Sequence, residues 1–190
     1  CWVEKKQLLC DDILKTSYSQ HANIMGILSD AIPVKLQQDL LTRLDTTSSL
    51  IQATFYYRFY LFRALKKVGL ADQYVSMLKP WQDMLGMGLT SFAENPEPSR
   101  SDCHAWSASL ATICGVEPAE AGFRSVKIEP HLGCLNRVEG KIPHPLGNIS
   151  IILERENKGI NGKIVLPEGL SGRFIWNKQT LVLHSGQNLI

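Results

Sequence analysis

The sequence predicts two regions in succession: an incomplete α/α toroid of helical hairpins, followed by an antiparallel β-sandwich. Up to about residue 116, apolar residues recur at helical spacing. From about residue 122, short alternating segments are separated by Gly, Pro and Asn. Because helices precede strands and do not alternate with them, a βαβ fold is excluded. We therefore predict a multi-domain α-then-β protein with domains at residues 1–118 and 119–190.

Six helices with short connections are predicted in the first region, which favours antiparallel hairpins. Ser19 can cap the second helix, Pro33 suits the first turn of the third, and Gly69 can end the fourth. Pro80 should kink or break the fifth. Three hairpins are fewer than a closed toroid needs, so we expect the chain to begin within a larger helical domain. The predicted helices span residues 2–18, 19–32, 33–44, 52–69, 71–88 and 101–115.

Six short strands are predicted in the second region. Each alternates apolar and polar residues, as a strand with one buried face does. Turn-forming residues separate them, which is typical of an antiparallel sandwich. The segments span residues 123–130, 135–143, 147–156, 159–169, 172–179 and 180–186.

The charge balance and the cysteine content argue against several functional classes. The 190 residues carry 20 Lys and Arg against 18 Asp and Glu, a balance that does not favour binding to nucleic acid or to an anionic membrane. Five cysteines without a CxxC pair favour free thiols in a reducing compartment. The charged first residues do not resemble a secretory signal, and no apolar stretch is long enough to span a bilayer. We expect a cytoplasmic protein, seen here as a fragment that starts at Cys1.

The sequence contains no motif typical of a metal-binding or nucleotide-binding site. The five histidines are scattered, without an HxxxH or HExxH spacing. No glycine-rich phosphate loop, GxSxG elbow or dinucleotide fingerprint occurs. We therefore expect no metal and no cofactor.

The segment SFAENPEPSRSDCHAWSAS, residues 91–109, holds the strongest site candidates. Glu94 follows Phe92 and Ala93, so its carboxylate could be partly desolvated and suited to proton transfer. His104 and Trp106 lie in the first turn of the sixth predicted helix, where an indole can stack on a sugar and an imidazole can bond its hydroxyls. The alternatives are a solvated loop glutamate, a capping histidine and a core tryptophan.

Several other residues could line the same end of the helices. Asp102 is most simply an N-cap, and Arg100 could pair with a carboxylate or stay solvated. Gln20 and His21 open the second helix, with capping as the plainer interpretation. An aromatic block in the fourth helix covers every face and should be mostly core; the alternative is that one or two of its tyrosines reach a cavity. Its members are Phe55, Tyr56, Tyr57, Phe59 and Tyr60.

Four stretches together resemble the C-terminal part of bacterial α-L-rhamnosidases, glycoside hydrolase family 78. They are SQHANIMGILSDAIP, ATFYYRFYLFRALKKVG, WQDMLGMGLTSFAENPEPSRSDCHAWSAS and GFRSVKIEPHLGCLNRVEGKIPHPLGNISI. The resemblance implies that the first three belong to a six-hairpin (α/α)6 catalytic barrel. It implies that the fourth opens the β-sandwich that follows this barrel.

The resemblance also implies a function. The family removes terminal α-L-rhamnose from glycosides with inversion, using two carboxylates. In MLGMGLTSFAE, Glu94 occupies the place of the family's general base. In SDCHAW, His104 and Trp106 occupy the places of the pocket residues. The partner so implied is a rhamnose-containing glycoside or oligosaccharide.

The chain departs from the family in three ways. The family usually has Trp before the base, where this chain has Ala93. The loop between Glu94 and His104 is short and contains two prolines, Pro96 and Pro98. Nothing upstream resembles the family's general acid, because Glu4, Asp11 and Asp12 fit the polar face of a helix. We therefore expect little or no activity from this chain by itself. A half-barrel should also expose apolar seams, so we expect self-association.

Two rival functions remain open. One is a non-catalytic carbohydrate-binding or structural remnant, which the missing acid and Ala93 favour. The other is a different (α/α)6 glycosidase, such as an α-L-fucosidase-like or debranching-type enzyme, because such enzymes share the architecture.

Overall fold

The computed structural model describes residues 2–44, 47, 49–94, 110–157 and 159–190. The chain divides into two compact units, described separately below. A helical unit comprises Cys1–Gln73 and Met77–Ser107, and a strand unit comprises Tyr74–Ser76 and Ala108–Ile190. Within the described ranges, no helix is long and apolar enough to cross a membrane.

The helical unit begins with a two-stranded hairpin, so the helix predicted over residues 2–18 is wrong. Strand β1 (Trp2–Val3) pairs antiparallel with β2 (Leu8–Leu9). The Asp12 carboxylate then accepts hydrogen bonds from the backbone N–H groups of Thr16 and Ser17, at 3.2 and 2.7 Å. A short side chain that binds the backbone in this way competes with helix formation. The apolar residues of this segment therefore belong to a hairpin and a turn, not to a helix.

The next two predicted helices are present. Helix α1 spans Gln20–Leu28, and the hydroxyl of its N-cap Ser19 accepts from the Ala22 N–H at 3.3 Å. Helix α2 spans Val34–Leu44 and follows Pro33 directly. Both bury apolar stripes, and α1 packs against α2. The buried apolar side chains are Ile24, Ile27, Leu40, Leu41 and Leu44.

Asn23 of α1 joins this helix to the hairpin. Its side-chain oxygen accepts from the Leu9 N–H at 2.8 Å, and its amide donates to the Leu9 carbonyl at 3.1 Å. The same amide donates to the Ser19 carbonyl at 2.8 Å. Because Asn23 is fully buried, these bonds satisfy polar groups that water does not reach.

The fourth predicted helix starts later than expected. Helix α3 spans Arg58–Lys67, and Gly69 ends it with a φ of 78°, in the left-handed region that glycine tolerates. Residues 52–57 stay outside the helix because Ala53 gives its N–H to the Gln20 side chain and Tyr57 gives its N–H to the Thr54 hydroxyl.

Helix α4 (Lys79–Gly86) follows two 3₁₀ turns, Ala71–Gln73 and Val75–Leu78, and carries Pro80 in its first turn. The break expected at Pro80 is therefore present. Buried Trp81 packs against Phe55 and Phe62, with ring centroids 5.4 and 6.1 Å apart. Helix α3 also packs against α1. The four described α-helices, α1 to α4, do not by themselves establish a toroid, so the predicted toroid stays a prediction.

The sixth predicted helix lies largely outside the described residues. Its described end, Leu110–Cys114, forms one turn of π-helix. Gly115 follows with a φ of 69°, as expected of the residue that closes a helix.

Two four-stranded sheets form the strand unit. One sheet has the order β10-β7-β6-β5 and is antiparallel throughout, whereas the other has the order β3-β4-β8-β9. The six predicted segments all contain strands, and β3 and β10 are additional. The strands are β3 (Val116–Pro118), β4 (Ser125–Ile128), β5 (Arg137–His144), β6 (Gly147–Glu156), β7 (Gly159–Leu166), β8 (Ser171–Trp176), β9 (Gln179–Leu183) and β10 (Gly186–Leu189).

One strand pair departs from the antiparallel prediction. Strands β4 and β8 run parallel, with Val126 opposite Gly172 and Ile128 opposite Phe174. A parallel pair needs a long connection. Here the intervening chain forms β5, β6 and β7 of the other sheet.

The two sheets share one hydrophobic core. Strands β6 and β7 contribute the fully buried Ile149, Ile151 and Ile164, and β4 and β8 contribute Ile128 and Phe174 from the other sheet. Buried residues alternate with less buried ones along β4 and β6, since side chains on a strand point to opposite faces.

Candidate active-site end of the helical unit

Glu94 lies beyond α4 in the helical unit and is the last residue that the structure describes before position 110. Ala93 before it is only 4% exposed, and its N–H donates to the Met84 sulfur of α4 at 3.4 Å. Glu94 itself is half-buried. The backbone that precedes Glu94 is therefore anchored to α4, which is compatible with the role predicted for this residue. That role stays a prediction.

The remaining residues of the predicted pocket fall outside the described part of the chain. They are Arg100, Asp102, His104 and Trp106. Their roles, and the approach of His104 and Trp106 to Glu94, stay predictions.

Gln20 has a different position from the cap suggested by its place in the sequence. Its side chain is buried and points across the unit. The amide donates to the Leu44 carbonyl at 3.0 Å and to Oε1 of Gln52 at 2.9 Å, while its oxygen accepts from the Ala53 N–H at 2.8 Å. Gln20 thus joins the start of α1 to the end of α2 and to the segment before α3.

His21 lies against an aromatic residue of the segment that precedes α3. The rings of His21 and Tyr57 have centroids 4.3 Å apart, and the Tyr57 hydroxyl donates to the His21 carbonyl at 3.3 Å. Burial and the neighbouring Tyr60 raise the pKa of Tyr57. This hydroxyl therefore stays protonated at neutral pH and acts as a donor.

The aromatic block is less buried than predicted. All five of its rings retain some exposure, and Tyr56 is 42% exposed. Tyr60 contacts both Tyr57 and Phe59, with centroids 5.1 and 5.3 Å apart. The expectation of a mostly core block is wrong, because α3 starts only at Arg58 and the first three rings precede it. Partly exposed rings beside polar groups can stack on a sugar ring.

Sequence reasoning missed the bridging role of Gln20. Its backbone partners, Leu44 and Ala53, are 24 and 33 residues away along the chain, so no local spacing pattern reveals them. Across the described ranges, no group of three His, Cys, Asp or Glu side chains is placed to hold a metal ion.

Comparison with known proteins identifies what this architecture resembles. Residues 115–187 match the family model of the bacterial alpha-L-rhamnosidase C-terminal domain. The chain resembles the C-terminal part of bacterial α-L-rhamnosidases. The prediction from the sequence is confirmed, since the GH78 family rhamnosidase of Bacillus sp. GL1 aligns with 93% of this chain at 25% identity and a TM-score of 0.80. No curated protein matches the chain.

Two further rhamnosidase structures share the fold. The α-L-rhamnosidase of Aspergillus terreus aligns with 90% of the chain at 18% identity and a TM-score of 0.74. The Streptomyces avermitilis α-L-rhamnosidase, solved with L-rhamnose, aligns with 91% at 16% identity and a TM-score of 0.72. The chain spans 21%, 24% and 22% of the Bacillus, Aspergillus and Streptomyces proteins, so it corresponds to about a fifth to a quarter of such a rhamnosidase.

Proposed function

We propose that the chain is the C-terminal part of an inverting glycoside hydrolase that removes terminal α-L-rhamnose from glycosides. One observation carries the proposal: the likeness to a GH78 rhamnosidase extends over 93% of the chain and so includes both units. The family-model match at residues 115–187 supports it independently. In this proposal the helical unit is the end of an (α/α)6 barrel, and the strand unit is the sandwich that follows.

Glu94 is the general base in the proposed mechanism. Its carboxylate takes a proton from a water molecule, and that water attacks the anomeric carbon from the face opposite the leaving group. The half-buried position beside the anchored Ala93 supports this role, because a base must be held in place relative to the water. His104 and Trp106 would hold the sugar by hydrogen bonding and stacking.

The leaving oxygen must receive a proton from a second carboxyl group. In inverting enzymes the two carboxyl groups lie about 6.5–9.5 Å apart, with room for the water between them. We propose that this acid belongs to barrel helices outside the present chain. General acid catalysis commonly contributes about 10²–10⁴-fold, so the chain alone should be nearly inactive.

Product stereochemistry tests the reaction class. The chain, extended upstream to a full barrel, would be given p-nitrophenyl α-L-rhamnoside, and the anomeric proton signals of the released sugar would be followed by NMR. The proposal expects the β anomer of L-rhamnose first, before mutarotation. Release of the α anomer would rule out inversion, and preferential cleavage of aryl α-L-fucoside in a matched panel would favour a different glycosidase.

A non-catalytic sugar-binding role is the second candidate. The burial of Ala93 favours it, because the family places an aromatic residue there and this chain offers only a methyl group. Titration of the extended protein with L-rhamnose would separate the candidates. A catalytic base predicts that Glu94→Gln keeps binding and loses turnover, whereas a binding module shows binding without turnover in either form.

A further inference from the structure

A cavity of about 580 Å³ lies in the helical unit. It opens between the N-terminal hairpin, the segment that precedes α1 and described residues that follow α2, at positions 47 and 49–51. Its described lining combines apolar and polar side chains: Lys6 and Arg43 supply positive charge, and Thr16, Tyr18, Thr47 and Ser49 supply hydroxyl groups. None of these residues belongs to the site proposed for Glu94.

Lys6 brings a positive charge to this cavity. Its ammonium nitrogen lies 3.9 Å from the centroid of the Tyr18 ring, within cation–π range. Among the described residues, no carboxylate is within ion-pair distance of it. The ring holds the ammonium without neutralising it.

Tyr18 is itself fixed in place. Its hydroxyl donates to the Lys15 carbonyl at 2.9 Å, and its own carbonyl accepts from the Ile51 N–H at 3.0 Å. Lys6 therefore rests on a rigid surface, which lowers the entropic cost of holding its charge at the cavity.

Arg43 adds a second cation from the last turn of α2. Its Nη2 donates to the Gln7 carbonyl at 3.3 Å, which places the guanidinium beside the residue that follows Lys6. Both cationic side chains of the described lining thus come from neighbouring positions on the cavity wall.

The nearby carboxylates bind neighbouring residues, the lining hydroxyls of residues 16 and 17 among them, but do not themselves line the cavity. Glu4 accepts hydrogen bonds from the Trp2 indole and the Gln7 amide. Asp12 accepts from the backbone of residues 16 and 17, and Asp11 accepts from the hydroxyls of residues 17 and 19. The ionic groups on the described wall are therefore cations only.

The hydroxyl groups add a second requirement for the ligand. Thr47 donates to the Arg43 carbonyl at 2.8 Å and Thr16 donates to the Asp12 carboxylate at 3.1 Å, so both offer oxygen lone pairs to a donor. The Ser49 hydroxyl has no hydrogen-bond partner among the described residues and can donate. A complementary ligand carries an oxyanion for Lys6 and several hydroxyl donors.

We propose that this cavity binds a hexuronate, a sugar that carries a carboxylate. The carboxylate pairs with Lys6 and accepts from Ser49, and the ring hydroxyls donate to the threonines. The choice of a sugar over a bare oxyanion rests on the proposed action on glycosides as well as on the hydroxyl lining. An acidic sugar would then bind to this part of the protein at a place distinct from Glu94.

Isothermal titration calorimetry of the chain at roughly 0.02 M salt tests this, because low salt preserves the ionic contact. The probes are sodium D-glucuronate, methyl α-D-glucoside and sodium phosphate. We expect glucuronate to bind at least about tenfold more tightly than either of the others. Equal binding of the neutral glucoside would remove the charge requirement, and equal binding of phosphate would show an oxyanion site without sugar recognition. Either result overturns the proposal.

Matched lysine variants locate the contact. Lys6→Gln should weaken glucuronate binding at least roughly fivefold, whereas Lys5→Gln, on the exposed neighbour outside the lining, should leave it unchanged. Ser49→Ala should weaken it less than Lys6→Gln. Unchanged circular dichroism would confirm that each variant is folded. Equal affinity of the two lysine variants would contradict the assignment.

These measurements involve no turnover, so their outcome is separate from that of the proposed function. If the extended protein does not hydrolyse the rhamnoside but the chain binds glucuronate, the glycosidase proposal alone is refuted. If the extended protein hydrolyses the rhamnoside but the chain does not bind glucuronate, the cavity proposal alone is refuted.

Discussion

Replacing Gln20 by Ala removes the side chain that joins three segments of the helical unit. The variant loses the bonds to the Leu44 carbonyl, the Gln52 amide oxygen and the Ala53 N–H. Gln52 is exposed, so water can replace its bond. The backbone groups of Leu44 and Ala53 are buried and would lose their partner.

The expected loss follows from those two backbone groups. Each buried polar group left without a partner costs about 1–3 kcal/mol. Removing one buried methylene adds about 0.8 kcal/mol. Partial rearrangement of the segment before α3 offsets some of this, so we expect a loss of about 3 kcal/mol in the free energy of unfolding. For a chain of this length that lowers the melting temperature by roughly 6–12 °C.

Urea unfolding followed by circular dichroism at 222 nm is the assay, because helices α1 to α4 all belong to the helical unit. Gln38→Ala is the matched control: it makes the same substitution on an exposed face of α2. We expect that control to stay within about 0.5 kcal/mol of the parent. If Gln20→Ala does the same, the side chain does not stabilise the unit as argued.

Three further predictions concern packing, thiol accessibility and association. Gly162→Ala should destabilise the strand unit by about 2–4 kcal/mol in urea unfolding. The added Cβ would lie 2.0 Å from the Ile152 carbonyl oxygen, and the backbone φ there is +148°. The control Gly159→Ala has open space around the added Cβ and should be nearly neutral. Peptide mapping after iodoacetamide treatment should find exposed Cys134 labelled and Cys114 protected. Burial keeps the reagent from the Cys114 thiol and raises the pKa of that thiol, so early labelling of Cys114 would contradict its burial. Sedimentation should show self-association of the chain, since Ile13, Leu14 and Val34 are 86%, 78% and 74% exposed; a sharp monomer at high concentration would refute this.

Local signals predicted much of the fold. Ser19 as a cap, Gly69 as a helix end and the break at Pro80 depend on chemistry within a few residues, and each is present. The failures involve partners outside that range or competition for the backbone. The Asp12 carboxylate diverts its segment from a helix. The parallel pairing of β4 with β8 brings together strands that β5, β6 and β7 separate along the chain, which strand spacing alone does not reveal.

The candidate site was predicted in a different way. Glu94 follows from a family resemblance, and its local sequence alone is compatible with a solvated loop carboxylate. The cavity at Lys6 was not predicted at all. Its lining comes from the hairpin, the segment before α1 and described residues after α2, and the sequence placed the first two of these in a helix.

Hydrolysis of p-nitrophenyl α-L-rhamnoside tests the central claim most directly. The chain alone, the chain extended upstream through a full barrel, and the extended protein with Glu94→Gln would be compared, with exposed Glu168→Gln as the matched control. The account predicts turnover only in the extended protein and its Glu168→Gln variant, with Glu94→Gln slowed at least about 10²-fold. A folded extended protein that is silent, or one that keeps full turnover with Glu94→Gln, would contradict the assignment of Glu94 to a rhamnosidase site.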